Sequence, residues 1–233
     1  AWLLELWEHL FDLAAGLAAA RGGPLDYLDL GGGFAVPHHE REKELDLDAL
    51  ALGLAPLWER HRGRTVRRLL VEPGRFLVAR GGTWLCRVVE VKRSRGRRYL
   101  VVDGGMNHNA LAAGTMGQVF RRDLPLVAAG RLDREVAGEP CRVVGPLCTP
   151  LDELAREALL PPVAPGDVLA FLRCGAYAWS AAHLAFLSRP TPAEVVLHRG
   201  QSRLARAAGA PDQWRAGQQL PELPPPGGAE VAW

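Results

Sequence analysis

The opening stretch AWLLELWEHLFDLAAGLAAA is apolar apart from Glu5, Glu8, His9 and Asp12, which interrupt it at helical spacing. That period predicts an amphipathic helix and argues against a signal peptide or a membrane span. RGGP breaks the period, and LDYLDL then reads as a short strand running straight into Gly31, Gly32 and Gly33. The same succession comes again, with a helical pattern over residues 46–62, a strand in RTVRRLLV, and Glu72-Pro73-Gly74-Arg75 at that strand's carboxyl end. Helix, strand and loop in alternation is the rhythm of a parallel α/β barrel, where chemistry gathers at the carboxyl ends of the strands.

From about residue 83 the pattern turns to β. TWLCRVVEVKRS, a turn at RGR and RYLVVDGG predict a hairpin, and CRVVG, DVLAFLR and AEVVLHR predict further strands. Residues 201–233, ending LPELPPPGGAEVAW, lose periodicity and gain Pro and Gly. The predicted class is α/β plus all-β: a barrel-like segment over 1–82, a β domain of barrel or sandwich type over 83–200, and a loosely ordered tail over 201–233.

Composition narrows the function classes. The 233 residues, 48% of them hydrophobic, are enough for a real core, and a net charge of +2 leaves no bulk basic field to attract nucleic acid or an anionic membrane. Of the 28 Lys and Arg residues only Lys43 and Lys92 are lysines, a bias that suggests a GC-rich bacterial source. Cys86, Cys141, Cys148 and Cys174 form no C-x-x-C pair and no zinc spacing, which predicts reduced thiols in a cytoplasmic protein. His38, His39 and His108 lack carboxylate or cysteine partners at ligand spacing, so no metal is expected.

Several motifs carry a choice between chemistry and architecture. Gly31 to Gly33 can serve an ordinary tight turn, or can let backbone N–H groups approach a phosphate. Glu72 and Arg75 can be solvated residues flanking a turn, or a carboxylate and a phosphate-clasping guanidinium at a strand end. Tyr177, after the apolar run DVLAFLRC, can be half-buried with its hydroxyl at the surface, or can meet a phosphate. Cys148 can be a small buried hydrophobe. Its loop, VVGPLCTPLD, is stiffened by Pro146 and Pro150 instead, which suits a thiol that must donate a proton at one point in space.

In order, DLGGGF, VEPGRFLV, VVDGGMN, VVGPLC and GAY span roughly residues 1–200, and this series resembles the pyridoxal-phosphate decarboxylases that pair an alanine-racemase-like barrel with a β domain. Diaminopimelate and ornithine decarboxylases belong to that family. The resemblance implies that residues 1–82 are the C-terminal part of a (β/α)8 barrel, with Gly31, Gly32, Gly33, Gly74, Arg75 and Tyr177 holding the phosphate of pyridoxal 5'-phosphate. It implies that Glu72 pairs with the pyridine nitrogen, and that Cys148 is the general acid, reaching the neighbouring subunit's site in a homodimer. Thr149 and Asp152 are implied to face the substrate.

Departures from the family sharpen the expectation. Neither Lys43 nor Lys92 sits in the context of the family's Schiff-base lysine, and the chain has no initiating Met, so it is expected to be the C-terminal portion of a longer enzyme, inactive alone. HNALAAGTMGQVFRRDLPL lacks the arginine and tyrosine that hold substrate carboxylates in diaminopimelate decarboxylases, and Thr149 replaces an acid that meets the substrate's distal amine. Losing that partner costs a diamino acid about 2 to 4 kcal/mol. GPLCTPLD together with HNALAAGTMGQVFRR looks closer to the carrier-protein-linked glutamyl and exosortase-associated branch, whose substrates are small amino acids or carrier-tethered aminoacyl groups. The competing expectations are diaminopimelate decarboxylase and a catalytically silent, antizyme-inhibitor-like binding relative.

Overall fold

The computed structural model describes residues 2–37, 42–115, 121–131 and 138–219. The chain divides into two compact units, Ala1–Ala182 and His183–Trp233. The first unit begins with helix α1, Trp2–Arg21, which buries Leu3, Trp7, Phe11, Ala14 and Ala18. Those residues are three or four apart, so one stripe of the helix faces the core. Strand β1, Leu28–Asp29, follows. Helix α2, Leu47–His61, is opened by Asp46, whose carboxylate accepts the Ala49 N–H at 2.9 Å, and is closed by Arg60 and His61 against its negative end.

Strand β2, Leu69–Leu70, pairs in parallel with β1. The backbone bonds between the two segments extend further, from Leu25 on Thr65 to Glu72 on Gly31. Both strands therefore present their carboxyl ends at the same rim, as the sequence rhythm predicts. Leu30, Leu50, Leu57 and Val66 join the α1 stripe in one apolar cluster beneath that rim. Just past β2, Gly74–Val78 forms the short helix α3.

The predicted hairpin is present as β3, Thr83–Ser94, and β4, Arg97–Val102, joined through Arg95 and Gly96, both at positive φ. They belong to a six-stranded sheet with β5, Leu126–Ala128; β6, Glu139–Val144; β7, Glu153–Leu160; and β8, Val168–Leu172. The order is β5-β8-β3-β4-β6-β7, antiparallel except for the β4–β6 pair. Its two outer strands approach one another: Asp123, just ahead of β5, accepts the N–H groups of Arg156 and Glu157 in β7 at 2.8 and 2.9 Å. The sheet is thus nearly closed around a core that includes Val88, Leu100, Val143, Leu154 and Phe171.

The second unit contains β9, Glu194–His198, and β10, Gln201–Arg206, paired antiparallel through Arg199 and Gly200 at positive φ. Here the structure corrects the sequence reading, because residues 201–206 are a strand rather than the start of a loosely ordered tail. Its polar side chains hid it: QSRLAR has only two apolar residues, yet its backbone forms a ladder with β9. Residues 220–233 lie outside the described residues, as do His38 and His39.

Candidate functional site

The glycine triplet is held from below. The Trp7 indole N–H donates to the Leu30 carbonyl at 3.2 Å, and the Asp29 carboxylate accepts the Gly31 N–H at 2.8 Å, so both sides of the turn are anchored. Gly31 and Gly33 have φ of +72° and +86°, values that glycine adopts without strain. Gly32 is constrained differently, since a Cβ there would stand 3.0 Å from the Glu72 carbonyl oxygen. The rim after β1 and the rim after β2 therefore touch backbone to backbone, and the Glu72 N–H donates to the Gly31 carbonyl at 2.8 Å. Phe34, one residue past the triplet, bridges Trp7 and Phe76 of α3 with ring centroids 6.1 Å from each.

The loop after β8 completes this side. The Cys174 N–H donates to the Gly82 carbonyl at 2.8 Å and the Gly175 N–H to the Ala79 carbonyl at 3.0 Å. Gly175 has no room for a side chain, as a Cβ would lie 1.8 Å from the Val78 carbonyl oxygen. This docking brings the Tyr177 ring under the Arg75 guanidinium, 5.2 Å from its centroid. Tyr177 itself sits at φ +59°, a left-handed conformation that a tyrosine adopts only where its surroundings dictate it. Gly31 to Gly33, Glu72, Gly74, Arg75 and Tyr177 thus share one neighbourhood. Side-chain-free backbone, a guanidinium and a phenol hydroxyl are a donor set that an anionic phosphate takes.

The thiol lies in a second neighbourhood, on the 145–152 loop between β6 and β7. Cys148 is exposed, and among the described residues its thiol has no hydrogen-bond partner. The other three thiols are packed away. Burial pushes Cys141 up to about 11, with Arg98 partly offsetting it, and pushes Cys174 up to about 11, with the Asn109 amide partly offsetting it. Burial raises Cys86 well above the ordinary thiol range, reinforced by Asp103.

Asp152, expected to face the substrate, is engaged by the backbone. It is 3% exposed, and its carboxylate oxygens accept the Met106 N–H at 2.6 Å and the Leu147 N–H at 2.8 Å. A carboxylate engaged by backbone donors on two sides is a fastening, with each such bond to a charged acceptor worth about 1.5–3 kcal/mol. Thr149 also spends its hydroxyl oxygen inside the loop, accepting the Leu151 N–H at 3.2 Å. Glu153, directly after Asp152, is paired with Arg142 at 2.6 Å and Arg156 at 2.9 Å.

The segment between the two neighbourhoods, which the sequence reading quoted within VVDGGMN and HNALAAGTMGQVFRRDLPL, has a joining role that this reading did not foresee. The 104–115 loop is almost wholly buried, from Met106 at 4% to Asn109, Ala110 and Leu111 at 0%. Asn109 donates to the Cys174 sulfur at 3.2 Å, and the Ala110 N–H donates to the Ala178 carbonyl at 2.8 Å, on the tyrosine side. Met106 reaches Asp152 on the thiol side. His108 packs edge-on against Trp84, the ring centroids 6.4 Å apart.

Two family models match the chain: "Pyridoxal-dependent decarboxylase, pyridoxal binding domain" over residues 7–79 and "Pyridoxal-dependent decarboxylase, C-terminal sheet domain" over residues 69–175. Among curated proteins, the decarboxylase of L-glutamyl-BtrI acyl-carrier protein from Niallia circulans is 32% identical over 216 residues, covering 90% of this chain and 50% of that protein. Diaminopimelate decarboxylase of Methanothermobacter thermautotrophicus is 33% identical over 219 residues, covering 92% and 49%. Among solved structures, Helicobacter pylori diaminopimelate decarboxylase complexed with L-lysine superposes with a TM-score of 0.74 at 29% identity, covering 91% of this chain and 50% of that one. The chain spans about half the length of the curated relatives it matches.

Proposed function

From a chain that belongs to the pyridoxal-dependent decarboxylases, we propose that it is the part of a longer enzyme that grips pyridoxal 5'-phosphate and delivers a proton, in the decarboxylation of an amino acid or a carrier-tethered aminoacyl group. The observation that carries this is the convergence of the glycine triplet, Glu72, Arg75 and Tyr177 on two touching strand ends. Residues 1–82 are read as the C-terminal portion of a (β/α)8 barrel, residues 83–200 as the β domain, and the chain as cytoplasmic. Among the described residues no helix is long and apolar enough to cross a membrane.

In this reading backbone N–H groups of Gly31 to Gly33 and Gly74, the Arg75 guanidinium and the Tyr177 hydroxyl bind the phosphate. Glu72 stands at the pyridine nitrogen and holds a proton there. When bound, the cofactor supplies the electron sink that takes the pair left as CO2 departs. Cys148 holds the proton that ends on the substrate carbon which lost CO2, and it does so for the neighbouring subunit of a homodimer. An exposed thiol outside the glycine neighbourhood supports that trans arrangement. Thr149, uncharged, offers no partner to a distal ammonium, which favours substrates whose far end is an acyl thioester or amide.

The test uses the full-length protein with pyridoxal phosphate, offered glutamyl-carrier protein, meso-diaminopimelate and free amino acids, with release of CO2 and absorbance of bound cofactor as readouts. Turnover of a tethered substrate, with Glu72→Gln binding cofactor within about threefold of wild type but losing at least about a hundredfold in kcat, is expected. Efficient turnover of meso-diaminopimelate would favour the second reading, which the similarity to diaminopimelate decarboxylases supports. Cofactor bound without CO2 from any of them would leave a silent binding relative in its place.

A further inference from the structure

The geometry points to Asp152 as a positioning residue that fastens the 145–152 thiol loop and the buried 104–115 loop into one unit. The inference rests on the decarboxylase reading for its consequence, though not for its structural content. Asp152 accepts one backbone N–H from each loop, Met106 at 2.6 Å and Leu147 at 2.8 Å. Its own carbonyl accepts the Gly145 N–H at 2.9 Å, and its own N–H donates to the Thr149 carbonyl at 3.2 Å.

Two glycines make the fit possible. A Cβ on Gly105 would stand 2.5 Å from the Asp152 carboxylate, and one on Gly145 would stand 2.2 Å from it. Neither glycine has a positive φ, so close approach to this carboxylate, rather than backbone conformation, is what each supplies. The 104–115 loop reaches in turn to Cys174 and Ala178, on the Tyr177 side. The thiol loop is thereby coupled through Asp152 to the segment that backs the phosphate-binding tyrosine. Cys148 is carried at the exposed crest, between an anchored Leu147 and an anchored Asp152.

An acid here cannot be replaced by its amide. Asparagine offers one acceptor oxygen and an NH2 group, so one of the two backbone N–H groups would face a donor. The carboxylate serves because all its oxygens accept.

The experiment is hydrogen exchange by NMR or by mass spectrometry on the full-length holoenzyme, alongside steady-state kinetics. In wild type the Met106 and Leu147 amides are expected to open together, with protection equal within about threefold. Asp152→Asn is expected to raise exchange in both loops by at least about tenfold. It should lower kcat by at least about tenfold while KM and cofactor affinity stay within about twofold. Gly145→Ala, which keeps the carboxylate but displaces it, should reproduce both effects. Unequal opening of the two amides in wild type would overturn the inference even if neither variant folds. So would exchange confined to one loop in Asp152→Asn, or a rise in KM at constant kcat, the mark of direct substrate contact. Because exchange is read without turnover, a full-length protein that releases no CO2 yet opens the two loops together would sink the decarboxylase reading and leave the fastening intact.

Discussion

At the scale of single residues, the four cysteines divide cleanly. Cys141 and Cys174 are pushed up to about 11 by burial, and Cys86 is raised further. A thiol whose folded value lies above its ordinary 9.0 contributes stability that is fully present below 9.0 and is lost as pH rises toward about 11, because the unfolded chain ionises first. The urea midpoint is therefore expected to fall between pH 9 and pH 11, and to fall less steeply in Cys141→Val, whose side chain cannot ionise. An identical slope in the variant would show that burial of Cys141 does not govern this behaviour. Sequence alone made Cys148 conspicuous through its prolines, and the structure agrees in leaving it the exposed thiol. Asp152 was visible as a residue, but a carboxylate four positions past a thiol looks the same in sequence whether it points at substrate or, as here, accepts backbone N–H groups.

Among elements, the helices and the long strands were legible because their periods are long enough to count. Strand β7 was not: ELAREALL is built of good helix formers, and only pairing with β6 and burial of Leu154, Ala155 and Leu160 make it a strand. Strand β5, three residues long, carries too little pattern to announce itself. The tyrosine loop depends on Gly175 at its contact with the Ala79–Gly81 turn. Gly175→Ala would press a Cβ onto the Val78 carbonyl, so the loop must shift, at a cost of about 1–3 kcal/mol in stability. Pyridoxal phosphate affinity of the full-length protein is expected to weaken at least about tenfold, as fluorescence titration would show. Gly81→Ala is the control, because a Cβ there meets nothing within 4 Å. Equal cofactor affinity in the two variants would refute the link between this docking and the phosphate grip.

For the whole molecule, the glycine neighbourhood draws on the helical layer and on the loop after β8, while the Cys148 loop joins β6 and β7. The segment between them, residues 104–115, was conspicuous as a motif, but with no Asp, Glu, Lys or Arg its composition does not announce that it joins them. If Cys148 serves the partner subunit, mixing full-length Glu72→Ala and Cys148→Ala proteins should restore activity that neither has alone. Random reassortment puts one intact site in each mixed dimer, so about a quarter of the wild-type rate is expected. Mixing without recovery, when sedimentation confirms that subunits exchange, would place the thiol and the carboxylate of one site in the same subunit.

The crossing of Gly82 and Gly175 has a mechanical consequence. The polypeptide leaves its helical layer at Gly82 and returns beside it at Gly175, and the two passes are bonded directly, Cys174 to Gly82 and Gly175 to Ala79. A single outward strand would be a hinge, free to swing. Two passes bonded at the same point resist swinging and twisting better than one, and Arg75 and Tyr177 lie on the very segments so joined.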